Sequence, residues 1–429
     1  MTHTARSVAL EAVRRVTDEG AYSSRLIPAL LSRSGLSERD RALATELSFG
    51  TLRRLQGLDR AIGLRASRPI GRMSPGARAV LRLGAYQIAF TRIPPHAAVG
   101  ESVGLANPRE RGFVNAILRR LADDPPAPPT GDAEEDVSAR TGLAPWAVRE
   151  LRVLLGEDAE LAAEALGERG WLSLRTNTCR TSVSALSEAL RAAGIDPRPA
   201  HLHPDCLLLD GGEPSRLPGF TEGWFAVQDQ ASAFVVSALD PQPGDRVFDP
   251  CAAPGGKSCH VACLVGASGS VVASDLRPER VTLVRRNAQR LGLRVLTLAQ
   301  DATGLALAPR DGFDRVLVDA PCSGIGSARR RPELLWRPKR ADLSPLAKLQ
   351  VRIVAGAADV LRPGGRLVYS VCTFPRAETD AVCDALVRHR PELQPASIDG
   401  PDGPAPRLRL WPHRHGSDGM FVAAFTKRR

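Results

Sequence analysis

Long apolar runs, cysteine and lysine are all scarce in this chain of 429 residues. No stretch of about 18 consecutive apolar residues occurs, so a transmembrane helix is not expected. The N-terminus does not read as a secretory leader, because Glu11, Arg14, Arg15 and Asp18 interrupt any apolar segment there. A cytosolic chain is therefore expected. Eight cysteines are too sparse for a disulfide scaffold of this length, and reducing surroundings would keep them as thiols. Cys259 and Cys263 are the only close pair. Spaced four apart in a Gly- and Ala-rich helix, they read as packed side chains rather than zinc ligands. No second pair stands at metal-ligand spacing, so no metal is expected. Internal repeats are absent as well.

What is present is positive charge. Lys and Arg together number 58 against 47 acidic residues, a net charge of +11. That balance points to a polyanionic partner, with nucleic acid the leading class and no membrane. Nearly all of the basic residues are arginine, a preference that a GC-rich coding bias explains equally well. Hydrophobic content of 43% is ordinary for a globular chain, and the length suggests about three domains.

Residues 1–122 read as all helix. Val8, Leu10, Val13 and Val16 recur at helical spacing. Ser37 with Asp40 resembles a capping box opening a long helix through Leu58. Ser74-Pro75 supplies an N-cap followed by Pro at the first helical position, with Val80, Leu81, Gly84 and Ile88 as one stripe. A last helix runs through Phe113–Arg120. The Pro-rich stretch 123–135 then reads as a linker. Residues 136–239 mix short helices with strand-like segments at Leu172–Thr176, Cys206–Leu209 and Gly223–Gln228. From 240 to 429, strands and helices alternate as in a doubly wound, mostly parallel sheet.

In this last region a strand at Arg246–Phe248 runs into Asp249-Pro250-Cys251-Ala252-Ala253-Pro254-Gly255-Gly256-Lys257-Ser258, and a small-residue helix follows. Gly255 and Gly256 permit a tight turn and close backbone approach to a ligand at the helix start. The spacing matches neither GxGxxG nor the P-loop, and no triphosphate site is apparent. The next strand ends in Asp275, about 20 residues on, where an acid typically meets ribose hydroxyls. The third leads to Asp301, placed to accept from an adenine amino group. A ribose-binding acid without phosphate machinery suits S-adenosylmethionine better than NAD. Each aspartate alone reads equally as a helix cap or turn residue. Together, Asp249, Asp275, Asp301, Asp319 and Cys372 all fall at carboxyl ends of expected strands, where open α/β sheets bind ligands.

Two further segments carry thiols at strand ends: Asp319-Ala320-Pro321-Cys322-Ser323-Gly324 and Tyr369-Ser370-Val371-Cys372-Thr373. Paired cysteines beside a cofactor loop suggest covalent chemistry. With these motifs the chain resembles the RsmB-like (NOL/NOP/Sun) family of RNA cytosine-C5 methyltransferases, in particular its bacterial 16S ribosomal RNA members. The resemblance covers essentially the whole chain. Phe113-Val114-Asn115 and Leu118-Arg119 match the last helix of a NusB-like RNA-binding domain. Leu174–Asn177 and Val227–Asp229 match the segment before the catalytic core, and Asp418–Phe421 matches the closing strand.

The resemblance implies an all-α NusB-like domain, a small α+β subdomain and an α/β Rossmann-like methyltransferase core, with a C-terminal antiparallel hairpin added to its mostly parallel sheet. It implies that Cys251, Ala252, Ala253, Pro254, Gly255, Gly256 and Lys257, with Asp275, Arg280, Asp301 and Asp319, contact S-adenosylmethionine or border its methyl group. The catalytic set implied is Cys372 as nucleophile, Cys322 assisting release, and Asp319 and Lys257 beside them. A thiolate adding to C6 turns a weakly nucleophilic C5 into an enamine carbon. If a helix beginning near Arg376 aimed its N-terminus at Cys372, its dipole would favour that thiolate. Val371, Thr373 and Glu378-Thr379 depart from the family's usual residues, a difference that bears on local hydrogen bonding and leaves the thiol in place. Arg329-Arg330-Arg331 reads either as a phosphate-binding group or as a solvated loop. The expected partner is RNA, 16S ribosomal RNA first, and not DNA, with the chain a monomer. The same chemistry on transfer RNA, and an inactive RNA-binding assembly factor, are the alternatives.

Overall fold

The computed structural model describes residues 4–305 and 310–428. It forms two compact units, one of Met1–Arg169 with Ala328–Arg340, the other of Gly170–Ser327 with Ala341–Arg429.

The first unit is helical. Thr4 caps the helix Ala5–Asp18, where Val8, Val13 and Val16 of the expected stripe are buried along with Ala12, while Leu10 is half-buried. Ser37 caps Glu38–Arg53, accepting from Asp40 N at 3.2 Å. The long helix expected through Leu58 is instead two helices, broken at Arg54 and resumed as Leu55–Arg65. The break lets the second helix lie against Glu134–Thr141, where Gly57 sits so close that an added Cβ would stand 2.4 Å from the Ala139 carbonyl oxygen. Ser74 caps Pro75–Phe90, whose Val80, Leu81 and Ile88 are buried with Val114, Ile117 and Leu118 of Arg111–Asp123. The segment Ala328–Arg340 is bound into this unit by polar links. The fully buried Glu333 carboxylate accepts from Ser23 N at 3.2 Å and Ser23 Oγ at 2.5 Å. Trp336 Nε1 donates to the Leu52 carbonyl at 3.0 Å.

The second unit holds two sheets of unequal size. In the smaller, β1 (Leu172–Thr176), β2 (Arg198–Pro199), β3 (Cys206–Leu209) and β4 (Phe225–Val227) pair antiparallel in the order β2-β3-β1-β4. Leu186 and Leu190 of the helix Val183–Ala192 pack on one face of this sheet against Leu174, Leu207 and Leu209.

The larger sheet contains β5 (Arg246–Asp249), β6 (Ser270–Asp275), β7 (Leu296–Ala299), β8 (Phe313–Asp319), β9 (Leu361–Val371) and β10 (Leu393–Ala396). After a small hairpin of β11 (Ile398–Gly400) and β12 (Gly403–Ala405) come β13 (Arg407–Leu410) and β14 (Met420–Lys427). The order is β10-β14-β9-β8-β5-β6-β7, with β13 also on β14. β5 to β9 are mutually parallel, while β14 inserts antiparallel beside β9.

The period of two along these strands splits their apolar residues between two helical layers. Val316, Val318, Leu367, Tyr369 and Phe421 pack with the helices Leu343–Asp359 and Asp380–His389. Leu317, Val368 and Val422 face the helices Gln230–Leu239 and Gly256–Val265. Parallel pairing puts every carboxyl end on one edge. Asp249 and Asp275 end β5 and β6, Asp319 ends β8, and Cys372 lies one residue past β9.

Candidate active site

The loop after β5 starts this site. Ser258 Oγ donates to Asp249 at 2.6 Å and Cys251 N donates to its other oxygen at 3.3 Å, folding the loop back on the strand end. Gly255 takes φ +100°, a left-handed value that favours glycine. A Cβ there would also stand 3.0 Å from the Val284 main chain. The loop therefore leaves its backbone close to whatever occupies the edge. Burial pushes the Asp249 carboxyl up to about 7, with Asp319 adding to the push and the Ser258 hydrogen bond opposing it. Cys251 is likewise pushed well above the ordinary thiol range, by burial first and then by the surrounding carboxylates.

Asp275 is buried and tied to the same loop. Its Oδ2 accepts from Ala253 N at 3.3 Å and pairs with Arg280 Nε at 3.5 Å, and Arg280 also donates to the Ala253 carbonyl at 3.0 Å. Asp301 is exposed, and Thr303 N and Oγ1 both donate to its Oδ1 at 2.8 Å. Those two bonds hold its carboxylate below the usual range. The turn reading of Asp301 is thus physically present, and one acceptor oxygen is still available beside it.

Lys257 connects the loop to β8. Its Nζ lies 2.6 Å from Asp319 Oδ2 and 3.5 Å from Ser232 Oγ. Burial by itself would lower the ammonium. Asp319 outweighs it, with help from Cys372 and Asp249, and the pKa is raised. Asp319 Oδ1 meanwhile accepts from Ser370 Oγ at 3.0 Å. The donor set decides which ligand classes fit. The loop's one ammonium is committed to a carboxylate, so it is not a phosphate ligand of the P-loop kind. The carboxylates of Asp275 and Asp301 suit hydroxyl and amino donors. A ribose-bearing, cationic cofactor without phosphates fits this edge.

The two strand-end thiols meet. Cys322 Sγ and Cys372 Sγ are 3.5 Å apart, both half-buried. The register of β8 on β9 pairs Asp319 with Ser370, and Cys322, three residues beyond Asp319, and Cys372, two beyond Ser370, reach the same edge. Gly326 N donates to the Cys372 carbonyl at 3.0 Å, and Gly419 N to the Gly326 carbonyl at 2.8 Å. A Cβ on Gly326 would stand 2.0 Å from the Gly419 carbonyl oxygen, so this crossing needs glycine. The hydrogen bond to Cys372, then burial, pushes the Cys322 thiol well above its ordinary range. Either sulfur can be the donor in this contact.

Three expectations change. Cys263 is joined to Cys179 in a disulfide with Cα atoms 5.9 Å apart, whereas Cys259 is buried against Ala226, Ala288 and Leu291. One helical turn separates the two, and they face different neighbours. Arg376 begins only a three-residue 3-10 turn, too short for a dipole, and the helix starts at Asp380. The positive charge acting with Cys372 is Lys257. Arg329 is neither solvated nor a free phosphate ligand: it is buried in the helical unit and donates to the Arg169 carbonyl at 3.5 Å. Gln350, buried behind the thiols, escaped the sequence reading, and Glu378 and Tyr369, buried with it, were named there without a role. The one usable signal is the hydroxyl residue following each cysteine, Ser323 and Thr373.

Comparison with known proteins matches three parts of the chain to family models. Residues 236–426 match the family model described as 16S rRNA methyltransferase RsmB/F. Residues 3–123 match the NusB family, and residues 144–215 an RsmF/B-like ferredoxin-like domain. A ribosomal RNA small subunit methyltransferase B from Citrobacter koseri is 34% identical over 431 residues, covering 99% of each chain. A Mycobacterium tuberculosis protein described only as a methyltransferase is 38% identical over 453 residues, covering 99% of this chain and 96% of its own. The crystal structure of PH0851 superposes with a TM-score of 0.85 over 100% of both chains at 24% identity. Among the described residues, no helix is long and apolar enough to cross a membrane.

Proposed function

The chain belongs to the 16S rRNA methyltransferase RsmB/F family, and from that membership and its paired thiols we propose that it methylates C5 of a cytosine in RNA. Small-subunit ribosomal RNA is the substrate, S-adenosylmethionine the donor, and the cytosol the place where they meet. The observation that carries the reading is the 3.5 Å approach of Cys322 Sγ to Cys372 Sγ at the ends of adjacent parallel strands. One thiol suffices for a structural or redox role. Two at one strand edge, beside an ammonium and a carboxylate, suit a reaction that forms and then breaks a carbon–sulfur bond.

Asp275 and Asp301 would hold the ribose and adenine of the cofactor, with the Cys251–Gly256 backbone and Arg280 closing around them. When bound, S-adenosylmethionine supplies an electrophilic methyl group. The Lys257 ammonium favours the Cys372 thiolate, and the Cys322 S–H group donates to the same sulfur. That thiolate adds to C6 of a cytosine drawn out of its stack, and the ring's electron pair moves to C5. Asp319 offers its partly exposed carboxylate to the amino edge of the base. After methylation the C5 proton passes to Cys322 as thiolate, its own proton having gone to solvent, and the C–H electron pair restores the C5–C6 double bond as Cys372 leaves as thiolate. Cys322, beside that sulfur, assists the release. The basic helical unit would grip the RNA backbone, with binding that weakens as salt rises.

Methyl transfer from labelled cofactor to unmodified 16S RNA, with the site mapped, tests the reading. Cys372→Ala is expected to abolish product and adduct alike. Cys322→Ala should accumulate a protein–RNA adduct that survives denaturing gels. Normal turnover by Cys322→Ala without adduct would remove the release role. Label on transfer RNA alone would change the substrate, and no label on any RNA would favour an assembly factor.

A further inference from the structure

Behind the two thiols lies a polar network, buried and fully within the larger sheet's unit, that the reaction as derived does not use. Glu378 is at its centre and has no solvent exposure. Its Oε1 accepts from Ser323 N at 2.9 Å and from Gln350 Nε2 at 3.0 Å, and its Oε2 accepts from Ser323 Oγ at 2.5 Å. Ser323 Oγ is also 2.7 Å from Thr373 Oγ1. Each hydroxyl has one proton. With Ser323 donating to the carboxylate, Thr373 must donate to Ser323, and the relay runs Thr373 to Ser323 to Glu378. Gln350 uses its second amide proton on the Pro321 carbonyl, 2.9 Å away. Tyr369 OH donates to the Glu378 carbonyl at 2.7 Å.

The residues caught in this network flank both thiols. Pro321 and Ser323 lie on either side of Cys322, Thr373 follows Cys372, and Tyr369 belongs to the strand that presents Cys372. Both thiol-bearing loops leave the ends of separate strands, and past those ends the sheet no longer fixes their spacing. A buried carboxylate is a costly tie unless its acceptor sites are filled, and here three donors fill them. Burial pushes Glu378 upward while these donors pull it back.

We propose that Glu378 is the positioning residue that fixes the two thiols against each other, an inference that rests on the two-thiol reading above but is carried by geometry of its own. Its side-chain hydrogen bonds run to Ser323 and Gln350. It acts through Ser323 and Thr373 to hold the Sγ–Sγ spacing that attack and release both need.

The test is Glu378→Gln in the full chain, which keeps shape but sets an amide donor against Ser323. Three readouts are taken: melting temperature, methylation kinetics, and the rate at which dibromobimane, a short bis-alkylating reagent, links Cys322 to Cys372 by peptide mapping. The expected result is a melting temperature and cofactor KM close to the parent's, a several-fold slower Cys322–Cys372 link, and kcat lowered about 10–100-fold, as a displacement of about 1 Å would cause. Parental rates of linking and turnover in a folded Glu378→Gln protein would overturn the proposal. Should that variant fail to fold, Ser323→Ala and Thr373→Val cut the same relay and carry the same expectation, and parental linking in both overturns it. The linking rate needs no RNA, so it reads Glu378 even if the parent methylates no cytosine.

Discussion

Asp249 gives a stability prediction with a sign and a size. Its carboxyl is buried at the end of β5 and pushed from 3.8 up to about 7. An unfolded chain releases that proton near pH 4, and the folded chain holds it until near pH 7. The folded state is therefore favoured below pH 4 and loses that advantage as pH rises to 7. Each tenfold gain in proton affinity is worth about 1.4 kcal/mol, so the loss totals about 4 kcal/mol above pH 7, of which about 3 kcal/mol accrues between pH 5 and pH 8. Asp249→Asn removes this pH dependence. It keeps an acceptor for Ser258 but opposes its amide to Cys251 N–H, a pH-independent cost of about 1–3 kcal/mol. Urea unfolding of parent and variant at pH 5, 6, 7 and 8 measures the difference. The variant should be the less stable protein at pH 5 and gain on the parent by about 3 kcal/mol by pH 8. A difference constant across that range would refute the raised Asp249 carboxyl.

Two further outcomes follow from the site. Lys257→Met removes the ammonium acting with Cys372, so iodoacetamide alkylation of Cys372 and the pH–rate profile of methylation should both move to higher pH, while Lys257→Arg should move them less; an unmoved profile would deny Lys257 its role. Asp275→Asn should raise the KM for S-adenosylmethionine about 10–100-fold, the loss of hydrogen bonds to a charged group, with a smaller change in kcat. A fall confined to kcat would place Asp275 outside cofactor binding.

The NusB-like stripe, the caps at Ser37 and Ser74, and the strands ending in Asp249, Asp275 and Asp319 were readable because each rests on local periodicity or on a residue beside its own helix or strand. The helix break at Arg54 was not, since it serves contact between Gly57 and Ala139, far apart in sequence. The Cys179–Cys263 bond, 84 residues in separation, was hidden for the same reason. The role of Glu378, visible in the sequence only as part of a Glu-Thr pair, was hidden too, because it depends on Ser323 lying against it.

What the sequence by itself determined was the inventory: a basic chain, a glycine-bearing loop, acids at successive strand ends and two cysteines in strand-end motifs. Local chemistry fixes such features, because strand period and turn residues act over a few positions. Only the tertiary structure decided what those residues do to one another. The register of β8 against β9 brings the two sulfurs to 3.5 Å, the Lys257–Asp319 contact sets the charge beside them, and the Cys372 contact together with burial pushes the Cys322 thiol up. Distance and desolvation are properties of the packed edge, and neither is written at any single position along the chain.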